Sequence, residues 1–252
     1  MNLSKTIEEE YTNIQVNTVQ ELQKGSSDKV VNNLLEKCVE WLNSERVHNL
    51  LSSGIYTNTI DLLRKEEYNP EDILAFSMRL DDFSKNLHFS KLGLFCSALI
   101  NTHYEKKNKK EYSKEVKMRQ IYALFTTEHR RKMDNLCFKN SGAHVVITGD
   151  VGDNLAIKMT AGDVKLNGKG ESMTGAEMGG GKLYLESCTE KLGESMTGGS
   201  IIVKQGGRDI GYKQNGGRID ILESWESIRL ENHESMFADN KGEIYFQGKR
   251  IK

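Results

Sequence analysis

The chain has 252 residues, of which 35 are Lys or Arg and 36 are Asp or Glu, so its formal net charge is -1. A balance this close to neutral provides no overall field that would favour nucleic acid or an anionic membrane as a partner. The first residues, MNLSKTIEEEY, lack the features of a secretion signal, and no apolar run approaches the roughly 20 residues that span a bilayer. We therefore expect a cytoplasmic protein without a membrane segment.

The cysteines and histidines show no motif of a metal site or a nucleophile. The cysteines are scattered and form no Cys-x-x-Cys pair, which favours reduced thiols over disulfides or structural zinc. The six histidines stand singly, with no His-Glu-x-x-His motif and no nucleophile elbow. The sequence therefore indicates no cofactor and no metal, and an enzyme is the less favoured class of protein.

Glycine usage divides the chain into two parts. Three of the 23 glycines, Gly25, Gly54 and Gly93, lie in residues 1–140, and the others lie in residues 141–252. Because each interior glycine costs a helix roughly 1 kcal/mol, the second part is not mainly helical. We predict an α+β protein of two domains, an α-helical bundle at residues 1–140 and a different fold at residues 141–252.

The first predicted helices have clear patterns. An apolar stripe from Val30 to Leu42 recurs at helical spacing, and TIDLLRKEE supplies a shorter helix. Further along, Asn69 is a predicted N-cap, because Pro70 and acidic residues follow it in the first turn.

Two more helices are predicted in this part. The segment KLGLFCSALINTHY is apolar on most faces, which predicts the central helix of the bundle. A last helix is predicted from Ser113 to His129, with Val116, Ile121, Leu124 and Phe125 as its apolar residues. The residues before 26 are too weakly patterned for a prediction.

Two basic segments, EKKNKKEYSKE between the last two predicted helices and EHRRK at residues 128–132, have two interpretations. Either they are a contact for RNA or DNA, or EKKNKKEYSKE is a solvated interhelical loop, where lysines interleaved with acids are common, and EHRRK is solvated in the same way. We favour the second interpretation. The candidate nucleic-acid-binding residues are Lys106, Lys107, Lys109, Lys110, Arg130, Arg131 and Lys132.

The second part contains a sequence repeat. GESMTG occurs at residues 170–175 and again at 193–198, but the segments that follow the two copies differ. The segments MTAGDVKL, MGGGKLYL, MTGGSIIV and QNGGRIDI align instead, with starts at residues 159, 178, 196 and 214. The period is therefore 18–19 residues, just below the range expected for stacked-repeat architectures.

Each repeat unit predicts a glycine corner and a short strand with one buried face. Met159, Met178 and Met196 are expected to form an interior ladder that ends at Gln214, where a polar residue suits a solvated or capped end. We predict a right-handed parallel β-helix of about four to five coils with an irregular C-terminal cap, in which Ile244 and Phe246 mark a closing strand. The residues that define the repeat are Met159, Gly162, Gly175, Met178, Gly181, Gly193, Met196, Gly199, Gly211 and Gly217.

The repeat also resembles a known family. GDVGDNLAIKMTAGDVKLNG at residues 149–168, followed by LGESMTGGSIIV, is similar to the GXGXG β-helix domain, which occurs in the large chain of glutamate synthase and in one of the chains of formylmethanofuran dehydrogenase. The resemblance covers roughly residues 143–221, with Ala156 and Ala161 in place of two glycines. It implies a structural domain that supports and positions catalytic parts located elsewhere, and residues 1–140 contain no counterpart of those parts.

The GDVGD segment admits a metal-binding interpretation as well as a structural one. Asp150 and Asp153 are candidate calcium ligands, as in some β-rolls, or they cap turns. The acidic pair is not repeated in later coils, so we favour turn caps. A dinucleotide-binding fingerprint is disfavoured, because a repeat coil follows where a helix is required.

These observations favour a non-catalytic scaffold or subunit-interaction protein, with a β-helix that offers a rigid surface to a protein partner or to a second copy. The alternative is a nucleic-acid-binding or regulatory module that uses the basic residues of the helical part. A weaker alternative is an accessory enzyme subunit in glutamate or one-carbon metabolism, with a ligand pocket between the two parts.

Overall fold

The computed structural model describes residues 25–44, 53–80, 89–110, 121–126, 132–227 and 242–251. Within these residues, four helices are followed by eight strands of one sheet, which lie in space in the same order as in the chain. The first seven strands pair with one another in parallel, and the last strand pairs antiparallel with the seventh. The chain therefore combines helices with a parallel β-solenoid of about five turns.

The helices are α1 (Asp28–Ser44), α2 (Ser53–Leu63), α3 (Pro70–Arg79) and α4 (Phe89–Lys110). The predicted start of α3 is confirmed, because Asn69 Oδ1 accepts the Asp72 amide at 2.8 Å and Asp72 Oδ2 accepts the Asn69 amide at 3.0 Å. These two bonds satisfy amide groups that a helix start leaves without intrahelical partners. Asn69 thus fixes where α3 begins.

Helix α4 forms the centre of the helical part, as its apolar pattern predicts. Its residues 91–103 are all buried, and α1, α2 and α3 contact it. The helix continues to Lys110, so the expected interhelical loop is wrong from Glu105 to Lys110. Lysine is a good helix former, and its charge is favourable near a helix C-terminus.

The strands are β1 (Ile121–Phe125), β2 (Ser141–Thr148), β3 (Ala161–Gly170), β4 (Gly179–Cys188), β5 (Gly198–Gly206), β6 (Arg218–Trp225), β7 (Glu243–Phe246) and β8 (Lys249–Arg250). The predicted helix from Ser113 to His129 is therefore wrong at residues 121–125, which form β1. Residue 126 follows this strand, and the remaining residues of the predicted helix lie outside the described ones. The run IYALF is too short for its periodicity to separate helix from strand, and pairing with β2 and packing against α3 decide the outcome. The sheet thus begins before the predicted domain boundary at residue 140, and one apolar core extends from Val31 to Ile244.

Two ladders of apolar side chains run through the solenoid. Equivalent residues of neighbouring parallel strands lie over one another, so each ladder contains one residue per strand. The first ladder is Tyr122, Val145, Val164, Leu183, Ile201, Ile219 and Ile244, and the second is Leu124, Ile147, Leu166, Leu185, Val203 and Ile221. All of these side chains are buried, which confirms the predicted alternation and the predicted closing strand.

The predicted methionine ladder is also confirmed. Met159, Met178 and Met196 are fully buried. The methyl carbon of each methionine lies close to a glycine of the next coil. If that glycine had a Cβ atom, the Cβ would lie only 2.5–2.7 Å from the methyl carbon, so the methionine fits only because the residue is glycine. One such corner glycine stands in each repeat unit, and all four have φ between 71° and 87°. They are Gly162, Gly181, Gly199 and Gly217.

A turn segment with alternating positive φ completes each coil. The segments begin at Asn135, Asn154, Met173, Lys191 and Asp209, so their spacing reproduces the period of 18–19 residues. Their central residues are Cys137, Ala156, Gly175, Gly193 and Gly211. Amides of these segments donate to adjacent coils, for example from Gly175 to the Leu155 carbonyl at 2.8 Å, which holds residues other than glycine in the left-handed region.

Buried amides stand at both ends of the methionine ladder. Asn140 occupies the position before Met159, and Gln214 occupies the position after Met196. Of the two expectations for Gln214, a solvated or a capped end, the structure agrees with the capped one, because Gly242 of the next coil lies over it and leaves it fully buried.

The two terminal amides differ in their hydrogen bonds, so the same substitution should affect stability to different extents. Asn140 makes three bonds to Gly142 and Ala143. Gln214 Nε2 donates to the carbonyls of Gly216 and Gly217 at 3.2 Å, whereas its Oε1 has no partner among the described residues. Because removal of this unpaired acceptor offsets the loss of the two donated bonds, we expect Gln214→Met to change stability in urea unfolding by less than about 1 kcal/mol and Asn140→Met to lower it by about 1–3 kcal/mol. An equal loss of stability in both variants would contradict this account.

The C-terminal edge of the sheet is covered by a short hairpin. Strand β8 pairs antiparallel with β7, with Tyr245 opposite Arg250. Such a hairpin pairs the backbone groups of a parallel edge strand that would otherwise be free to pair with other chains. Among the described helices, none combines the length and the apolarity that crossing a lipid bilayer requires.

Candidate interaction surface

The strands β3 to β6 present one continuous surface, which we call the outer face. Its side chains alternate with the buried ladders, and none of them is buried. The described helices contact the sheet mainly at β1 and β2, so they leave this surface uncovered. The outer face consists of Asp163, Lys165, Asn167, Lys182, Tyr184, Glu186, Ser200, Ile202, Lys204, Arg218, Asp220 and Leu222.

The register arranges these side chains in rows across the strands. The middle row is Lys165, Tyr184, Ile202 and Asp220, so two half-exposed apolar side chains lie between a lysine and an aspartate. An apolar centre with a charged surround is typical of the core and rim of protein–protein interfaces.

Contacts with neighbouring side chains hold two acidic residues of the outer face, Asp220 and Asp163, in place. Arg218 makes two hydrogen bonds of 2.6 Å to Asp220, and its guanidinium lies 3.9 Å from the centre of the Tyr245 ring. The bonds to Asp220 raise the pKa of Arg218. At the opposite side, His144 Nδ1 lies 2.9 Å from Asp163 Oδ2.

Two lysines of the outer face influence each other. Partial burial lowers the pKa of Lys165, and repulsion from the Lys204 ammonium lowers it further. Glu186 opposes this effect, since its negative charge favours the protonated lysine. A bound carboxylate would therefore relieve repulsion at this place.

The acidic residues of the GDVGD segment cap backbone of the next coil. Asp150 Oδ1 accepts the Lys169 amide at 2.8 Å, and Asp153 Oδ1 accepts the Ser172 amide at 2.9 Å. This geometry supports the structural interpretation of the two aspartates. In the preceding coil, Asp134 Oδ1 accepts the Asp153 amide at 3.0 Å in the same way. Burial raises the pKa of Asp134.

The predicted nucleic-acid-binding residues have varied surroundings. Lys106 donates to the Glu66 carbonyl and lies 4.0 Å from Glu67, while Lys132 lies 2.9 Å from Glu171. Lys107 is exposed. The backbone of Lys109 and Lys110 ends α4, and Arg130 and Arg131 lie outside the described residues. The nucleic-acid interpretation stays a prediction, and two of its lysines already contact acidic side chains of the same chain.

A buried histidine lies where α4 meets the solenoid. His103 is 4% exposed, and its Nδ1 lies 2.9 Å from the Tyr122 hydroxyl of β1. The ring of Tyr68 packs on its other side. Burial lowers the pKa of His103 to about 4, and the nearby charges of Lys107 and Lys106 add to this effect.

This histidine should make the fold sensitive to acid. The unfolded chain, with a histidine pKa near 6.5, binds the proton first as pH falls, so stability decreases from about pH 6.5 down to about pH 4. We expect a loss of up to about 3 kcal/mol across this window, and a smaller loss in His103→Gln, which does not titrate. Urea unfolding at a series of pH values checks this, and equal slopes for both proteins would contradict it.

The four cysteines offer no reactive thiol. All of them are buried and free, and burial raises the pKa of Cys96 to about 12 and that of Cys188 to about 11. Such thiols are protonated at neutral pH, which makes them poor nucleophiles. Among the described residues, no three His, Cys, Asp or Glu side chains are grouped so that they could hold a metal ion.

Comparison with known proteins adds no assignment: no family model, no curated protein and no solved structure matches this chain. The outer face must therefore be interpreted from its own chemistry. Sequence patterns alone did not single out its residues, because they stand at the polar positions of an alternating pattern. The signal that could have found them is the register itself, since a period of 18–19 residues already assigns which side chains share a row.

Proposed function

We propose that this protein is a non-catalytic interaction protein that binds another polypeptide on the outer face of β3 to β6. The observation that carries the proposal is that this face combines exposed charges with half-exposed Tyr184 and Ile202, while the described helices pack at the other end of the sheet. The resemblance to the GXGXG domain agrees with a supporting role.

The backbone of the solenoid favours such a role. Each coil is hydrogen-bonded to its neighbours both in the strand and in the turn segment, for example through Gly193 to the Thr174 carbonyl at 2.9 Å. A surface that is already ordered loses little conformational entropy when a partner binds. The proposed partner surface is therefore rigid before binding.

The proposal is tested by affinity capture from the host organism with a variant of the outer face. Ile202→Arg places a charge in the apolar centre, and we expect it to abolish capture of any stoichiometric partner. Lys191→Glu, in a turn segment on another side of the coil, is the matched control and should leave capture unchanged. Equal capture by the wild type and Ile202→Arg would contradict the proposal.

The same purified protein can be used to test the alternative that the chain binds nucleic acid. Binding of single-stranded or duplex oligonucleotides at low salt, lost steeply as salt rises, would favour that alternative, because phosphate contacts release counterions. We expect no such binding that depends on Lys107, which is exposed at the end of α4.

A further inference from the structure

The charges of the outer face form a pattern that is complementary to itself. A line parallel to the strands and midway between β4 and β5 divides the face into two halves. Lys165 on β3 and Asp220 on β6 lie in the same row at equal distances from this line. Glu186 on β4 and Lys204 on β5 form a second such pair. In each of these two pairs, a charge on one side of the line has an opposite charge at the equivalent position on the other side.

Two further pairs follow the same rule. Asp163 on β3 lies in one row with Arg218 on β6, again on opposite sides of the line. In the middle row the apolar Tyr184 and Ile202 lie directly beside the line. A second copy rotated by 180° about this line would meet Lys165 with its Asp220 and Tyr184 with its Ile202.

We propose that the outer face binds a second copy of this chain, sheet against sheet, through a two-fold axis parallel to the strands and between β4 and β5. The inference rests on the proposed function, because it names the partner of the same surface. The contact is isologous, so every charge pair occurs twice. Two sheets related in this way have nearly aligned strands, which is one of the two common ways for sheets to pack.

Other symmetric arrangements of the same face are disfavoured by charge. An axis perpendicular to the strands and along the middle row would place Lys165 against Lys165 and Asp220 against Asp220. An axis parallel to the strands but centred on β5 would place Lys182 against Arg218. Like charges in contact oppose association and select against such registers. The charges therefore favour the axis between β4 and β5 over these two arrangements.

The proposed axis also places compatible side chains opposite each other on the outer strands of the interface. On β2 and β7, His144 would face Glu243, and Val146 would face Tyr245. With strands about 4.8 Å apart and a rise of about 3.3 Å per residue, six strands give a footprint on the order of 500 Å² per copy. Contacts of this size are at the low end of specific interfaces. We therefore expect a weak, reversible dimer.

The experiment is sedimentation velocity of the full chain over a concentration series, with charge reversals at one pair. Lys165→Glu alone places two acids face to face, and Asp220→Lys alone places two lysines face to face. We expect each to weaken dimerisation at least tenfold. The double variant restores opposite charges, and so does an equimolar mixture of the two single variants, so both should recover the dimer.

A matched control shares the face and the charge change. Lys182 lies on the same face and is more exposed than Lys165, and across the proposed axis it faces Ser200, so we expect Lys182→Glu to dimerise like the wild type. Circular dichroism confirms that each variant is folded. If a change at Asp220 disturbs its bonds to Arg218, the pair Glu186→Lys and Lys204→Glu supplies the same test at another place.

The outcomes separate this inference from the proposed function. A monomer at all concentrations, an effect of Lys182→Glu equal to that of Lys165→Glu, or failure of the double variant and the mixture to recover would overturn the dimer. A monomer that still captures a protein partner in an Ile202-dependent way would leave the proposed function intact with a different occupant. Loss of both would remove the outer face as a binding surface.

Discussion

Replacing Gly199 by alanine is expected to destabilise the fold by roughly 2–5 kcal/mol, as measured by urea unfolding. Gly199 has φ of 82°, where an L-residue other than glycine is strained by roughly 1–2 kcal/mol. A Cβ would also lie 2.7 Å from the Met178 methyl carbon and 2.8 Å from backbone atoms of Gly180 and Gly181. The side chain could move aside, but the backbone of the stacked coil could not, so the strain would remain.

The control for this prediction is Gly54→Ala. Gly54 lies in α2, and an added Cβ would meet nothing within 4 Å. Alanine is the better helix former by up to about 1 kcal/mol, so this variant should be as stable as the wild type or more stable. Equal stability of the two alanine variants would contradict the stacked-coil arrangement at Gly199.

Met178→Ala is the second large change, with an expected loss of about 2–5 kcal/mol. Met178 is fully buried in the middle of its ladder, with coils above and below that hydrogen bonds hold at a fixed spacing. Because those coils cannot collapse onto the missing side chain, the substitution leaves a cavity as well as losing apolar burial.

Met78→Ala is the matched control for the methionine ladder. Met78 belongs to α3 and is 43% exposed, so removal of its side chain leaves no cavity. We expect a change within about 0.5 kcal/mol. If Met178→Ala were as mild as Met78→Ala, the ladder would not contribute to stability in the way that its burial indicates.

The regular part of the solenoid could be predicted because its constraints are visible in residue types. Only glycine tolerates the contact between Met178 and Gly199, and only apolar residues suit positions such as Leu183 and Ile201. A stacked coil imposes these constraints again every 18–19 residues, so the pattern specifies the register of strands that lie far apart in the chain.

The first coil could not be predicted from the sequence because its constraints are met by other residues. Cys137 and Asn140 stand where later coils have glycine and methionine. Cys137 has φ of 58° and is held by its surroundings rather than by its own preference. In the same region, the segment from Ile121 to Phe125 is long enough for a strand and too short to distinguish a strand from a helix by pattern.

The residues of the candidate site were harder to predict from the sequence than the fold. Its side chains obey no rule of spacing within one strand, and complementarity between Lys165 and Asp220 emerges only after three strand registers are known. The right-handed sense of the coil and membership of the GXGXG family stay predictions from the sequence.

The central claim is that this protein acts through the outer face, and site-specific photocrosslinking in the host organism tests it most directly. A benzophenone amino acid is introduced at Tyr184, in the middle row of the face, and in parallel at Lys191, in a turn segment. We predict protein adducts from position 184 and none from position 191. Adducts from position 191 with none from position 184, or equal yields from both, would contradict the account.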